Sequence, residues 1–222
     1  MITTFSVDEC WAGRWLGRST LAAENGRFRM AEATDPSPTD HLVGTVFTGF
    51  RDSHVHLGLV DGRALVNAGI AAVDDLGWDA EQIALWSKEP DLPEIRFAGR
   101  ILTAPGGYPT ESGWAPEGTC ETLTAPADAK GAVTRQLSAG ASLIKVALNS
   151  DTGPTLDDAT LVAVISHAHA RGIKVVAHVQ GVGQAERAWH AGVDRFAHTP
   201  WSERLDDRLV TAMARHQSWV ST

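Results

Sequence analysis

Several features that would settle a function quickly are scarce or missing in these 222 residues. There are two cysteines, Cys10 and Cys120, far apart and forming no CxxC, so a reduced, cytoplasmic protein is the expectation. No apolar run reaches the ~18 residues needed to cross a bilayer, so no membrane partner is expected. The N-terminal stretch MITTFSVDECWAGRWLGR has neither the positive start nor the apolar block of a secretory signal. Basic charge is in deficit, with a formal net charge of −8, which argues against nucleic acid as a partner. Lysine is rare: there are four (88, 130, 145 and 174), so one inside an apolar strand stands out. Neither GxxxxGK[ST] nor GxSxG occurs. Gly181-Val182-Gly183 opens a helix after a strand but lacks the third glycine of a nucleotide loop. No solenoid-period repeat or low-complexity tract is present.

What remains is globular: 43% hydrophobic residues and eight tryptophans supply ample core, enough for one large domain or one domain with a small appendage. Asn25-Gly26 sits between two short alternating runs, the signature of a tight hairpin whose central residues take positive φ. A Pro-rich polar stretch over 33–40 follows and reads as a linker. Residues 1–44 are therefore expected to form a small β segment plus linker, and 45–222 the main domain.

From residue 45 the pattern changes to short β-branched strands alternating with helices. Strands are expected at Thr45–His56, Ile70–Asp75, Glu94–Thr103, Ser142–Leu148, Ile173–His178, Val193–His198 and Ser218–Ser221. The clearest helix runs from about Leu156 to Arg171 with Thr155 at its N-cap, and others span about Gly183–Ala191 and Asp206–His216. Repeated β–α units imply an α/β fold with a parallel sheet, doubly wound or a (β/α)8 barrel. An eight-unit barrel takes ~250 residues and about 175 are available here, so the barrel is expected to be incomplete at about seven strands.

Three of these strands finish in histidine. In Asp52-Ser53-His54-Val55-His56, alternation puts Asp52, His54 and His56 on one face, where two imidazoles can reach one divalent ion. The other reading is a solvated strand edge. His178 and His198 each close an apolar strand, and parallel barrels build their active sites at that end. Lys145 lies in Leu143-Ile144-Lys145-Val146-Ala147-Leu148, where an ammonium needs a strong partner or different chemistry. Two solutions stay open: carboxylation to a metal-bridging carbamate, or an ion pair with Asp74 or Asp75. His167 and His169 share a helix and diverge by about 200°, so they do not chelate together. His190 and His216 fall in last helical turns and His41 in the linker, and none of these is assigned chemistry. The Gly/Pro-rich stretch from Thr103 to Pro116 reads either as a substrate-covering loop, with Tyr108 and Trp114 its contact residues, or as ordinary surface.

Taken together, the Asp52–His56 motif, the Lys145 strand and the single histidines at 178 and 198 resemble the amidohydrolase superfamily, most closely its imidazolonepropionase-like and prolidase-like branch. Gly69–Gly77, Gly140–Lys145 and Ala191–His198 support the resemblance, which covers residues 42 to 222. Residues 1–41 look like part of that family's small β-sandwich. The resemblance implies a (β/α)8 TIM-type barrel that hydrolyses amide, cyclic amide or related C–N bonds of a small molecule through a metal-activated water. Its cofactor would be one or two divalent ions, zinc foremost. His54 and His56 would hold one ion, His178 and His198 the other, Lys145 would bridge them as a carbamate, and Asp52 would support the histidines. Two departures stand out. The eighth-strand Asp of the family is not in the chain, so the expectation is a fragment, or a barrel completed by another C-terminal segment or chain, with homo-oligomerisation also expected. Tyr108 stands where prolidase-like relatives often carry His. The alternatives are a metal-dependent decarboxylase or esterase on the same scaffold, or a divergent chain that binds metal or a partner without turnover.

Overall fold

The structure is a computed structural model that describes residues 1–216 and 219–221. Its contacts divide the chain into two units, Met1–Phe50 and Arg51–Thr222.

The first unit is one four-stranded sheet. β1 (Thr3–Trp11), β2 (Trp15–Glu24), β3 (Arg27–Met30) and β4 (Asp40–Phe47) lie in the order β3-β2-β1-β4. The expected hairpin joins β2 to β3, with Asn25 at φ 51° and Gly26 at φ 72°, both in the left-handed region that a primed turn requires. Val7, Cys10 and Leu21 form its small core. The expected strand over 45–56 is two strands. β4 starts at Asp40 and pairs in parallel with β1, where Gly44 N–H donates to Asp8 and His41 contacts both Ser6 and Asp8. His41 is thus a sheet residue rather than a linker residue, and the division by contacts falls at Phe50/Arg51. The Pro-rich stretch is also tied down, because Thr4 Oγ1 donates to the carbonyls of Pro36 and Ser37.

In the second unit, β5 (Phe50–Val55), β6 (Ile70–Asp75) and β7 (Glu94–Phe97) make a three-stranded sheet in the order β5-β6-β7. β8 (Ile101–Thr103), β9 (Cys120–Thr122), β10 (Leu143–Asn149), β11 (Lys174–Gln180), β12 (Arg195–Phe196) and β13 (Trp219–Val220) make a six-stranded parallel sheet, ordered β13-β12-β11-β10-β8-β9. Between the strands run α1 (Gly62–Asn67), α2 (Ala80–Trp86), α3 (Pro126–Ser138), α4 (Asp158–His169), α5 (Gln184–Ala191) and α6 (Asp207–Arg215). The architecture is mixed α/β. Asp157 caps α4 in place of Thr155, its carboxylate accepting from Thr160 N–H, and Asp206 caps α6. The last expected strand begins at Ser218, outside the described residues.

The single strand expected over 94–103 is broken between β7 and β8. Gly99 turns the chain at φ 71°, and a Cβ there would meet Gln136 Oε1 at 2.5 Å. That same oxygen accepts from Arg100 N–H at 2.9 Å, so a buried glutamine from α3 replaces strand pairing at the break. The three-residue β9 was not expected from the sequence.

β10 is buried along its whole length, as a strand covered on both faces should be. Alternate residues of five strands stack in tiers inside the unit. Leu76, Ala98, Leu143, Val176 and Ala197 form an apolar middle tier. Two residues earlier along β6, β7 and β12 come Asp74, Arg96 and Arg195, and two residues later along β10 and β11 come Lys145 and His178. One polar tier thus lies on the amino-terminal side of the apolar tier, and another on its carboxyl-terminal side.

Candidate metal-binding active site

His54, His56, Lys145, His178 and His198 come together around a cavity of about 330 Å³ at the carboxyl ends of the strands, walled also by Ile101, Tyr108, Trp114 and Ala147. The five polar residues picked from sequence therefore share one site. Their rings are close: centroids lie 5.3 Å apart for His54 and His56, 5.8 Å for His54 and His198, and 4.6 Å for His178 and His198. Nδ1 of His178 is 2.8 Å from Nε2 of His198.

Each imidazole is held by something behind it. His56 Nδ1 lies 2.9 Å from the carbonyl of Gly77, to which it donates, leaving Nε2 free. His54 is hydrogen-bonded to the backbone of Ala197, and His198 Nδ1 lies 3.4 Å from the carbonyl of Thr199. Asp52 touches no ring. Its carboxylate accepts from the backbone N–H of His54 at 2.9 Å and fixes the chain at that point.

Burial, reinforced by the charge of Lys145, lowers His54 to about 2 and His178 to about 3. Burial takes His56 to about 4 against its bond to Gly77, and it lowers His198 as well. All four are neutral near pH 7, which is the form with a lone pair to offer.

Lys145 is 2% exposed. Burial, aided by the charge of Arg195 and opposed by that of Asp75, brings its amine to about 7. Both expected ion-pair partners are engaged elsewhere. Asp74 accepts from Arg51 at 3.1 Å and from Arg96 and Arg195 at 2.8 Å each. Asp75 accepts from the backbone N–H groups of Leu57 and Gly77 at 2.7 and 3.0 Å, and burial raises its carboxyl to about 6. Among the described residues no carboxylate forms a salt bridge with Lys145.

The donor chemistry suits a borderline divalent cation: neutral imidazoles oriented through their outer N–H groups, facing a buried amine. Among the described residues no three His, Cys, Asp or Glu side chains are already drawn to the spacing of a closed coordination shell. The nearest approach is the His178–His198 pair at 2.8 Å. Nitrogens on one tetrahedral zinc lie about 3.3 Å apart, so this pair is within a small ring rotation of that spacing.

Tyr108 and Trp114 form the aromatic wall. Tyr108 stacks on His178 at 4.5 Å and 23°, Trp114 lies over His56 at 4.6 Å, and the two rings are 6.2 Å apart. Burial raises the Tyr108 hydroxyl, partly offset by a hydrogen bond with Trp114. The loop is seated by close backbone approach: a Cβ on Gly107 would meet Pro154 O at 2.4 Å and Ala104 O at 2.9 Å.

The remaining histidines stay apart from the site. His169 on α4 pairs with Asp194 at 2.8 Å, His190 faces Glu186, and the His216 ring lies 5.4 Å from that of Trp189. The Gly181–Gly183 turn uses its amides internally: Gly181 N–H donates to Ser202, and Gly183 and Ala185 N–H donate to Glu203. Two residues beside the site were not picked from sequence, Asn149 and Gln180, which meet at His178. The signal was available, since they follow Lys145 and His178 at i+4 and i+2 on the same strand faces.

No family model matches the chain. Curated relatives are uncharacterised proteins of Mycobacterium tuberculosis and Mycobacterium bovis, 29% identical over 191 residues; the match covers 78% of this chain and 49% of theirs. The chain thus spans about half the length of the curated relatives it matches. Among solved structures, Aspergillus niger ochratoxinase superposes with a TM-score of 0.82 at 17% identity, over 100% of this chain and 65% of that one. A Xaa-Pro dipeptidase with bound methionine gives 0.77 at 18% identity, over 100% and 66%. A putative prolidase from Bifidobacterium longum gives 0.74 at 24%, over 99% and 60%. The likeness is one of fold, and it agrees with the amidohydrolase resemblance carried by the sequence motifs.

Proposed function

We propose that the chain belongs to a metal-dependent hydrolase of the amidohydrolase type, cleaving an amide, cyclic amide or related C–N bond of a small molecule. The observation that carries this reading is Lys145, a buried amine that forms no salt bridge among the described residues, facing four neutral histidines in one cavity. His54 and His56 would hold one divalent ion and His178 and His198 a second, zinc being the best match to imidazole donors. Such ions lower the pKa of a bound water and polarise the carbonyl it attacks.

The chain's own groups divide the rest of the work. The Lys145 amine, at about 7, is substantially neutral at physiological pH. Its nitrogen lone pair can attack the carbon of CO2: an N–C bond forms, one C=O electron pair moves onto oxygen, and the nitrogen proton passes to water. The resulting carbamate supplies two anionic oxygens among neutral imidazoles. The carbonyls of Gly77 and Thr199 hold His56 and His198 with their outer nitrogens protonated. Tyr108 and Trp114 spend their polar tips on one another and turn ring surface to the cavity, which favours a substrate with an apolar or planar flank.

The test is metal stoichiometry by plasma mass spectrometry on protein purified without chelator or polyhistidine tag. Two equivalents, with a carbamate resonance on Lys145 after growth with 13C-bicarbonate, are expected. One equivalent and no such resonance would reduce the site to a mononuclear one with a plain lysine. No metal, even after zinc is added back, would end the hydrolase reading.

A further inference from the structure

Two residues beyond Ala147 and His178, toward the carboxyl ends of the strands, two amide side chains that are not among the cavity's lining residues meet at paired strand positions. Asn149 closes β10 and Gln180 closes β11, opposite one another in the parallel register, just as Ala147 stands opposite His178. Asn149 is 2% exposed, so every polar atom it carries must find a protein partner. Its Oδ1 accepts the backbone N–H of Asp151 at 3.1 Å. That bond fixes which way the amide faces, because turning it over would set NH2 against an N–H donor. Nδ2 is left to face Gln180 Oε1 at 3.2 Å and His178 Nε2 at 3.4 Å. Gln180 Oε1 is turned to His178 as well, and Gln180 Nε2 reaches Asp151 Oδ2 at 3.4 Å. The Nε2 edge of His178 thus meets both a donor, Asn149 Nδ2–H, and an acceptor, Gln180 Oε1.

The same ring's Nδ1 edge faces His198 Nε2 at 2.8 Å. With Asn149 donating to Nε2, the His178 proton sits on Nδ1 and is donated to His198 Nε2. His198 then carries its own proton on Nδ1, toward the Thr199 carbonyl. Every ring nitrogen of the pair is satisfied in one chain of hydrogen bonds. When a cation takes Nδ1 of His178, the ring proton must move to Nε2, and Gln180 Oε1 is the acceptor waiting for it.

We infer that Asn149 and Gln180 are positioning residues for His178: the two amides grip its Nε2 edge and hold its Nδ1 edge in the cavity against His198 Nε2. This rests on the metal-ligand reading of His178 for its consequence but not for its geometry. The amides reach the cavity contents only through the imidazole.

The experiment uses Gln180→Leu, Gln180→Glu and Asn149→Ala in the tag-free protein, with folding checked by circular dichroism. Zinc affinity by chelator competition is expected to fall 10–100-fold in Gln180→Leu, which removes the acceptor that the metal-bound tautomer needs. Gln180→Glu, which keeps the acceptor, should restore most of it. Separately, 15N spectra of histidine-labelled, metal-free protein should show His178 protonated on Nδ1 in the wild type and in Gln180→Leu, and a mixture of tautomers in Asn149→Ala, which loses the donor to Nε2. Unchanged zinc affinity in Gln180→Leu together with an unchanged His178 tautomer in Asn149→Ala would overturn the inference. A wild type that binds no zinc while Asn149→Ala still shifts the tautomer would sink the metal reading and leave the positioning role standing. Should Asn149→Ala fail to fold, the contrast between Gln180→Leu and Gln180→Glu decides alone.

Discussion

Asp74 Oδ2 accepts a hydrogen bond from Arg195 Nη1 at 2.8 Å across 121 residues of sequence, joining β6 to β12 beneath the apolar tier. The Asp74 carboxylate is wholly buried. Burial alone would raise its pKa, yet Arg96 and Arg195 outweigh burial and hold it below the usual range. Removing that charge leaves Arg195, whose side chain is 13% exposed, without its counter-ion, whereas Arg51 and Arg96 are open enough to turn to water. Asp74→Asn should therefore lose ~3 kcal/mol of stability in urea unfolding. Asp91→Asn, which breaks an exposed pair with Arg63 at 4.0 Å, should lose less than ~1 kcal/mol. Equal losses would mean that the buried cluster is no stronger than a surface ion pair.

Gly107 tests how the aromatic wall is seated. A methyl group there runs into the backbone carbonyls of Pro154 and Ala104 as well as Thr103 Oγ1, so the loop must shift. Gly107→Ala should cost ~1–3 kcal/mol and withdraw Tyr108 from His178, seen as altered histidine ring shifts in a proton spectrum. Unchanged stability and unchanged shifts would show that the loop adapts freely.

In the first unit, bonds from Arg29 and from the N–H of Glu32 lower Asp35 to about 2, against 3.8 ordinarily. A folded-state value below the unfolded one means the carboxylate stabilises at pH above about 4, and the contribution disappears as pH falls from about 4 to about 2. Unfolding midpoints measured from pH 6 to pH 2 should fall more steeply in wild type than in Asp35→Asn. Parallel curves would show that this pair adds nothing.

Glu203 closes the amino end of α5, its two oxygens accepting from Gly183 N–H at 2.8 Å and Ala185 N–H at 3.2 Å. Glu203→Ala should cost about 1 kcal/mol, the worth of a helix cap, and speed hydrogen exchange at those two amides. Exchange that stays slow at both would place their protection elsewhere.

Much of the second unit was legible because a parallel strand covered on both faces must be mostly apolar, as β10 and β11 are apart from a few polar residues such as Lys145 and His178. Against such a run each histidine at a strand end and the lone Lys145 stand out, so the cavity's polar residues could be named beforehand. The strand limits around residues 40–50 and 97–101 were not legible. There the outcome turned on which partner each segment found: β1 captured Asp40–Phe47, and the Gln136 amide broke the run after Phe97.

Sequence by itself thus determined the alternation of strands and helices and the polar side chains that meet in the cavity. Periodicity and strand-end placement are local properties, readable without knowing any partner. Tertiary structure decided what surrounds them. It gave Asp74 to three arginines rather than to Lys145, and it brought Asn149 and Gln180 together at His178. Those choices depend on contacts between residues far apart along the chain, set by strand register and burial, and no single segment encodes them.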